Sequence, residues 1–126
     1  MAHARQNVAV WFEIPAADFD RAARFYETVM DVALRRETMG PQTMGVFPYP
    51  EDTISGCILS GPAMKPGDGG SIIYINADGK LEAALSRVES AGGAVVTPII
   101  RLPGEMGRFA HIRDTEGNRV GLHARD

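Results

Sequence analysis

Residues 8–36 read VAVWFEIPAADFDRAARFYETVMDVALRR, and the reading of this stretch decides the fold. Val8 to Ile14 is rich in β-branched and aromatic residues, which favour a pleated strand. Alternation divides such a strand into two faces. Val8, Val10, Phe12 and Ile14 make one uniformly apolar face, expected to pack on a helix. Ala9, Trp11 and Glu13 make the other, expected to face inward, where an indole and a carboxylate stand side by side. Pro15 closes the strand. Asp18 suits an N-cap, because its carboxylate can accept from the free amides of a first helical turn. A helix follows over Phe19 to Met30. Phe19, Ala22, Ala23, Tyr26, Val29 and Met30 keep the i, i+3, i+4 rhythm of one buried stripe, and Asp20, Arg21, Arg24 and Glu27 fall mostly outside it.

Strands are expected next at Val32 to Glu37, at Thr43 to Tyr49 and at Thr53 to Leu59, the last with Gly56 in its middle for close backbone approach or a bulge. Ser60 to Gly70, SGPAMKPGDGG, is dense in glycine and proline and reads as an exposed linker. Beyond it the first pattern returns. Ser71 to Asn76 is a strand. Lys80 to Ala91 is a helix with Leu81, Ala84, Leu85 and Val88 on one stripe, closed by Gly92-Gly93. Strands at Ala94 to Ile100, Arg108 to Arg113 and Arg119 to Ala124 complete the second half, with a loop at Leu102 to Met106 and a hairpin turn at Asp114 to Asn118. Laying Ile14 on Ile75 puts Ala22-Ala23 on Ala83-Ala84, so the element order repeats: strand, helix, three strands, twice. Neither half has enough core alone. The class is therefore α+β: two paired βαβββ modules, about 7–60 and 71–124 around the linker, forming one domain over 1–126 with a groove between curved sheets.

At 126 residues the chain suits one domain, and its 44% hydrophobic content is ordinary for a globular protein. Cys57 stands alone, so no internal disulfide forms and a reducing cytoplasm is expected. A net charge of -3 argues against a nucleic-acid surface, and no apolar run approaches the roughly 20 residues of a membrane span. MAHARQN, with His3, reads as a solvated lead-in without the apolar core of a signal peptide.

Two segments, WFEIPAADFDRAARFYETVM and GRFAHIRDTEGNRVGLH, resemble the vicinal oxygen chelate superfamily of glyoxalase I, bleomycin-resistance proteins and extradiol dioxygenases. The second resembles that superfamily's recurring strand–turn–strand finish, Gly-X-X-Ala-X-X-X-Asp-Pro-X-Gly-Asn, with Thr115 in place of the proline. The resemblance runs from about Val8 to His123 and implies paired βαβββ modules, usually in homodimers. It implies metal ligands at positions that here hold Ala9, a residue between Gly70 and Ile72, and Gly121. None of these side chains ligates a divalent ion. No metal or other cofactor is therefore expected, which speaks against glyoxalase I or dioxygenase chemistry.

The candidate ligand-binding residues are Trp11, Glu13, Tyr74, His111 and His123. Glu13 is a ligand anchor or general base, or else half of a structural ion pair. Trp11 and Tyr74 can stack on a planar ligand or simply pack the groove. His111 and His123 can bind a carboxylate, act as acid and base, or join Glu13 around an unorthodox metal. Cys57 reads as a small buried hydrophobe. Arg108, Arg113 and Arg119 can attract an anionic ligand, with solvated surface as the default reading. The expected function is metal-independent binding of an apolar or aromatic small molecule with a polar handle, by a homodimer. The alternative is a lyase or isomerase similar to lactoylglutathione lyase, using Glu13 with His111 or His123.

Overall fold

A computed structural model describes residues 7–126. The expected lead-in at residues 1–6, with His3, lies outside the described residues. Strand β1 (Trp11–Pro15) leads into helix α1 (Phe19–Met30), the span that the apolar rhythm predicts. Asp18 is extended and its Oδ1 accepts from the Arg21 amide at 3.1 Å, which caps the first turn. Strands β2 (Arg35–Met39), β3 (Gln42–Val46) and β4 (Ser55–Ser60) complete a sheet ordered β1-β4-β3-β2, with β1 parallel to β4.

The second half repeats this arrangement. Strand β5 (Tyr74–Asn76) and helix α2 (Leu81–Ser86) precede β6 (Ala94–Val95), β7 (Ile100–Arg101), β8 (Arg108–Arg113) and β9 (Arg119–Ala124). Their sheet is ordered β5-β9-β8-β6, β7 also pairs with β8, and β5 runs parallel to β9. Ile14 stands beside Ile58 in β4, and Ile75 beside Leu122 in β9, as the internal repeat requires. The protein is thus α+β, with two open mixed sheets and one helix for each.

Several boundaries differ from the sequence reading. β1 starts at Trp11 because its partner β4 starts opposite it at Ser55. Val8 and Val10 lie before the pairing begins and are exposed, so only Phe12 and Ile14 of the expected apolar face reach the core. The single strand expected over Ala94 to Ile100 is broken around Pro98, which has no ladder donor, into β6 and β7. Helix α2 stops at Ser86. Beyond it the backbone tightens into three-residue turns, Arg87 N–H to Ala84 O and Val88 N–H to Leu85 O, ending on Gly92 at φ 104°. Gly56 serves close approach: a Cβ there would meet the Phe12 ring at 2.4 Å.

The main core joins both halves. Phe25, Tyr26 and Val29 of α1 are fully buried in one cluster with Ile58, Leu81, Ile112 and Leu122. Phe25 was not on the expected stripe; helix α1 is covered on more than one side, by β3, β4 and α2. A smaller cluster, Val46, Cys57 and Leu59, lies on the opposite face of the first sheet, and linker residue Met64 packs against it with Met44.

Both ends of α1 are fastened by the second half. At its start the Glu116 carboxylate, with no exposed side-chain surface, accepts from the Ala17 and Asp18 amides at 2.9 and 2.8 Å and pairs with Arg21. At its end Lys80 Nζ donates to Met30 O at 2.6 Å, and Arg87 donates to Thr28 O and Val29 O. An anion at the N-terminus and cations at the C-terminus both complement the helix dipole. Asp114 closes the arrangement: its Oδ2 accepts from the buried Tyr26 hydroxyl at 2.6 Å.

Arg21 and the amide donors hold the Glu116 carboxyl down at about 2. A carboxyl whose pKa is depressed by folding stabilises the native state above its unfolded value, and that contribution disappears as pH falls toward the folded one. E116Q should therefore flatten the acid limb of the stability curve between about pH 4.5 and 2, read by urea denaturation at stepped pH. E116A should cost roughly 2–3 kcal/mol at neutral pH, because two helix-end amides lose their acceptor.

Candidate functional site

Strand register places Phe109, His111 and Arg113 of β8 on the same face as His123, Gly121 and Arg119 of β9, with Tyr74 of β5 beside Gly121. This face turns away from the helices. Gly121 is what lets Tyr74 lie down on it, since a Cβ at 121 would meet the tyrosine ring at 2.3 Å. The Tyr74 hydroxyl then sits 2.8 Å from His111 Nε2, and the Arg119 Nε–H donates to His111 Nδ1 at 2.9 Å. Phe109 stands edge-on to Tyr74, ring centres 5.6 Å apart. His111 is 9% exposed and Tyr74 47%. Burial, and then the Arg119 charge, hold His111 below the usual imidazole range, so it is neutral at physiological pH.

On the first sheet, Trp11 is 44% exposed and Glu13 is exposed, both on the face that carries Cys57. Among the described residues Glu13 makes no hydrogen bond or ion pair. It lines an open cleft of about 180 Å³ with Lys65, Gly67, Ile73, Asn118 and Arg119. Asn118 builds one wall by bridging three segments: its Nδ2 donates to Pro15 O and Asp114 Oδ2, and its Oδ1 accepts from Gly67 N–H. His123 is turned toward a loop, with Nε2 donating to Met106 O at 2.7 Å.

The structure therefore brings Tyr74 and His111 into contact and puts Glu13 on a cleft with Arg119. It gives Trp11 no ring partner among the described residues. Lys65 and Asn118 are not among the sequence candidates, and Arg119 is read there as solvated surface by default. The signal for Arg119 was its position two residues before Gly121, hence on the same face. Cys57 is fully buried, and burial followed by the nearby Glu13 charge pushes its thiol up to about 11. It should resist iodoacetamide at pH 7.5 in the native protein and react stoichiometrically once urea unfolds the chain, read by mass spectrometry.

The sequence profile of the Glyoxalase/Bleomycin resistance protein/Dioxygenase superfamily matches residues 8–122. The chain belongs to that superfamily. It is 31% identical over 116 residues, 90% of each chain, to a glyoxylase-like domain-containing protein of Didymella fabae. Among solved structures it is similar to a mutant glyoxalase I of Zea mays, at TM-score 0.69 and 19% identity, covering 92% of this chain and 45% of the maize one. It is also similar to a glyoxalase/bleomycin resistance protein of Albidiferax ferrireducens, at TM-score 0.68 and 15% identity over 94% of this chain and 99% of that one. A fosfomycin resistance protein of Listeria monocytogenes matches at TM-score 0.66 and 13% identity, over 93% and 89%. The chain thus spans less than half of the maize glyoxalase I, and these structural likenesses are likenesses of fold.

Metal-using members of the superfamily need three or more side-chain donors turned into the groove. Here the last-strand position is Gly121, and the tyrosine ring fills the room a ligand side chain would need. Arg119 already takes the Nδ1 lone pair of His111. Among the described residues no three His, Cys, Asp or Glu side chains come together to hold an ion. The donor set of one chain does not fit the superfamily's metal.

Proposed function

We propose that this glyoxalase-like protein binds a small molecule without a metal, in the groove between its sheets. The observation that carries the reading is the pair of half-exposed rings, Trp11 and Tyr74, on the open faces of the two sheets, while the positions the resemblance assigns to metal ligands hold Ala9 and Gly121. Exposed aromatic rings offer stacking surface to an apolar or aromatic ligand. The Tyr74–His111–Arg119 chain offers a polar handle, and His123 lies on the same face.

The working form in this reading is a homodimer. Strands β1 and β5 are both sheet edges, and Val8 and Val10 just before β1 are exposed, which favours an added partner. The lone thiol Cys57 supports a reducing, cytoplasmic setting, and no described helix is long and apolar enough to cross a membrane.

One observation favours a second reading, a lyase or isomerase. Glu13 has no ion-pair partner among the described residues and lines a cleft that also holds Lys65 and Arg119, and a free carboxylate can abstract a proton beside cations that stabilise the resulting anion. His111 offers no free lone pair for such a step, since Arg119 holds Nδ1 and the other nitrogen faces Tyr74. His123, with Nε2–H given to Met106 O, has Nδ1 left as an acceptor, which can take up a proton and then return it.

A thermal-shift screen with aromatic acids, phenols and heteroaromatic drugs should raise Tm for at least one class, and W11A should abolish that rise. Elemental analysis should find no stoichiometric zinc, nickel, manganese or iron, and EDTA should leave Tm unchanged. If a ligand is turned over, and E13Q stops turnover while sparing the thermal shift, the enzyme reading replaces simple binding. Light scattering should give twice the chain mass.

A further inference from the structure

The arginine Nε–H is always protonated, so it donates and never accepts. Its bond to His111 Nδ1 therefore requires an unprotonated Nδ1. A neutral imidazole with a bare Nδ1 carries its proton on Nε2. His111 Nε2–H must then donate to the Tyr74 oxygen, since a hydroxyl hydrogen pointed at Nε2 would collide with the proton already there. The tyrosine oxygen is thereby committed as acceptor on its buried side. Its own hydrogen is left to turn outward, and the ring is 47% exposed.

We propose that Arg119 is a positioning residue that locks His111 as the Nε2–H tautomer, so that the Tyr74 hydroxyl presents its proton to the groove and selects a ligand oxygen that accepts: a carboxylate, phenolate or carbonyl. The second half of this proposal rests on the groove-binding reading above. The first half stands on the geometry of the apo protein alone. The chain Arg119–His111–Tyr74 is directional, donor to acceptor at each link, and each link polarises the next. A ligand group that can only donate, such as an ammonium, meets another donor there. The other charged and titratable groups nearby do not reverse that preference: Arg113 pairs with Asp68, His123 is tied to Met106 O, and the opposite charges of Glu13 and Lys65 share the neighbouring cleft with Arg119. Gly121 is part of the device, because a side chain at that position would displace the tyrosine ring from the histidine.

The test uses the full chain labelled with ¹⁵N-histidine. Long-range ¹⁵N–¹H spectra at pH 7.5 should show His111 Nδ1 in the unprotonated range and Nε2 protonated. In R119M the Nδ1–H tautomer should appear, and the imidazole should titrate at higher pH than in the parent, with His123 unmoved as the internal reference. A parent spectrum with Nδ1 protonated overturns the lock. So does an R119M spectrum identical to the parent in both tautomer and titration. Binding is then read by chemical-shift titration with benzoate and benzylamine. Benzoate should saturate with shifts centred on Tyr74 and His111, benzylamine should not, and Y74F should weaken benzoate about tenfold. Benzylamine binding as tightly as benzoate overturns the acceptor selectivity. Benzoate unaffected by Y74F does the same, since it would show that the basic side chains alone attract the anion. If neither probe binds, the groove-binding reading falls and takes the acceptor selectivity with it, while the ring tautomer still decides the lock.

Discussion

The Asp114 carboxylate accepts four hydrogen bonds, from the Tyr26 hydroxyl, the Asn118 side-chain amide and the backbone amides of Glu116 and Asn118. The polar contacts that join the two halves at the start of α1 and the end of β1 are arranged around it. Its bonds shape the β8–β9 turn, and the shaped turn aims Glu116 at the start of α1 and Asn118 at the end of β1. Tyr26 is fully buried, and burial followed by the Asp114 charge pushes its phenol far up, so it is a neutral donor at physiological pH. A buried carboxylate without such donors would be strongly destabilising. With them it becomes a fixed point that two modules share.

The fold was legible because its signals are local and repeated. The Asp18 cap and the α1 rhythm are each visible within a few residues and hold in the structure, and the doubled strand–helix order holds with one late strand split in two. What failed depended on partners outside the local window. Val8 and Val10 look like strand interior until one knows that β4 gives them no neighbour. The break around Pro98 was visible as a proline, but only pairing of β6 and β7 with the same strand β8 reveals that the chain continues in one sheet.

The candidate site was legible in part for the same reason. Alternation alone puts Tyr74, His111 and Gly121 on one open face. It does not say that an arginine beside them will dictate which imidazole nitrogen is protonated, because that depends on an angle between side chains on two strands. Arg119 looked like ordinary solvated charge. Glu116, also unremarked in sequence, proved to be a helix cap from nearly one hundred positions away, a relationship no spacing rule encodes.

The clamping of α1 at both ends has a mechanical consequence. A helix gripped by Glu116 at one tip and by Lys80 and Arg87 at the other ties the backs of the two sheets together, so the pair behaves like a hand with fused knuckles. The remaining freedom then falls to the fingers: the rotamers of the half-exposed Trp11 and Tyr74 and the strap around Met64, which rests on the first sheet's open face by apolar contact. A scaffold stiff behind and adjustable in front can exchange a few surface side chains without disturbing the joint that holds it together.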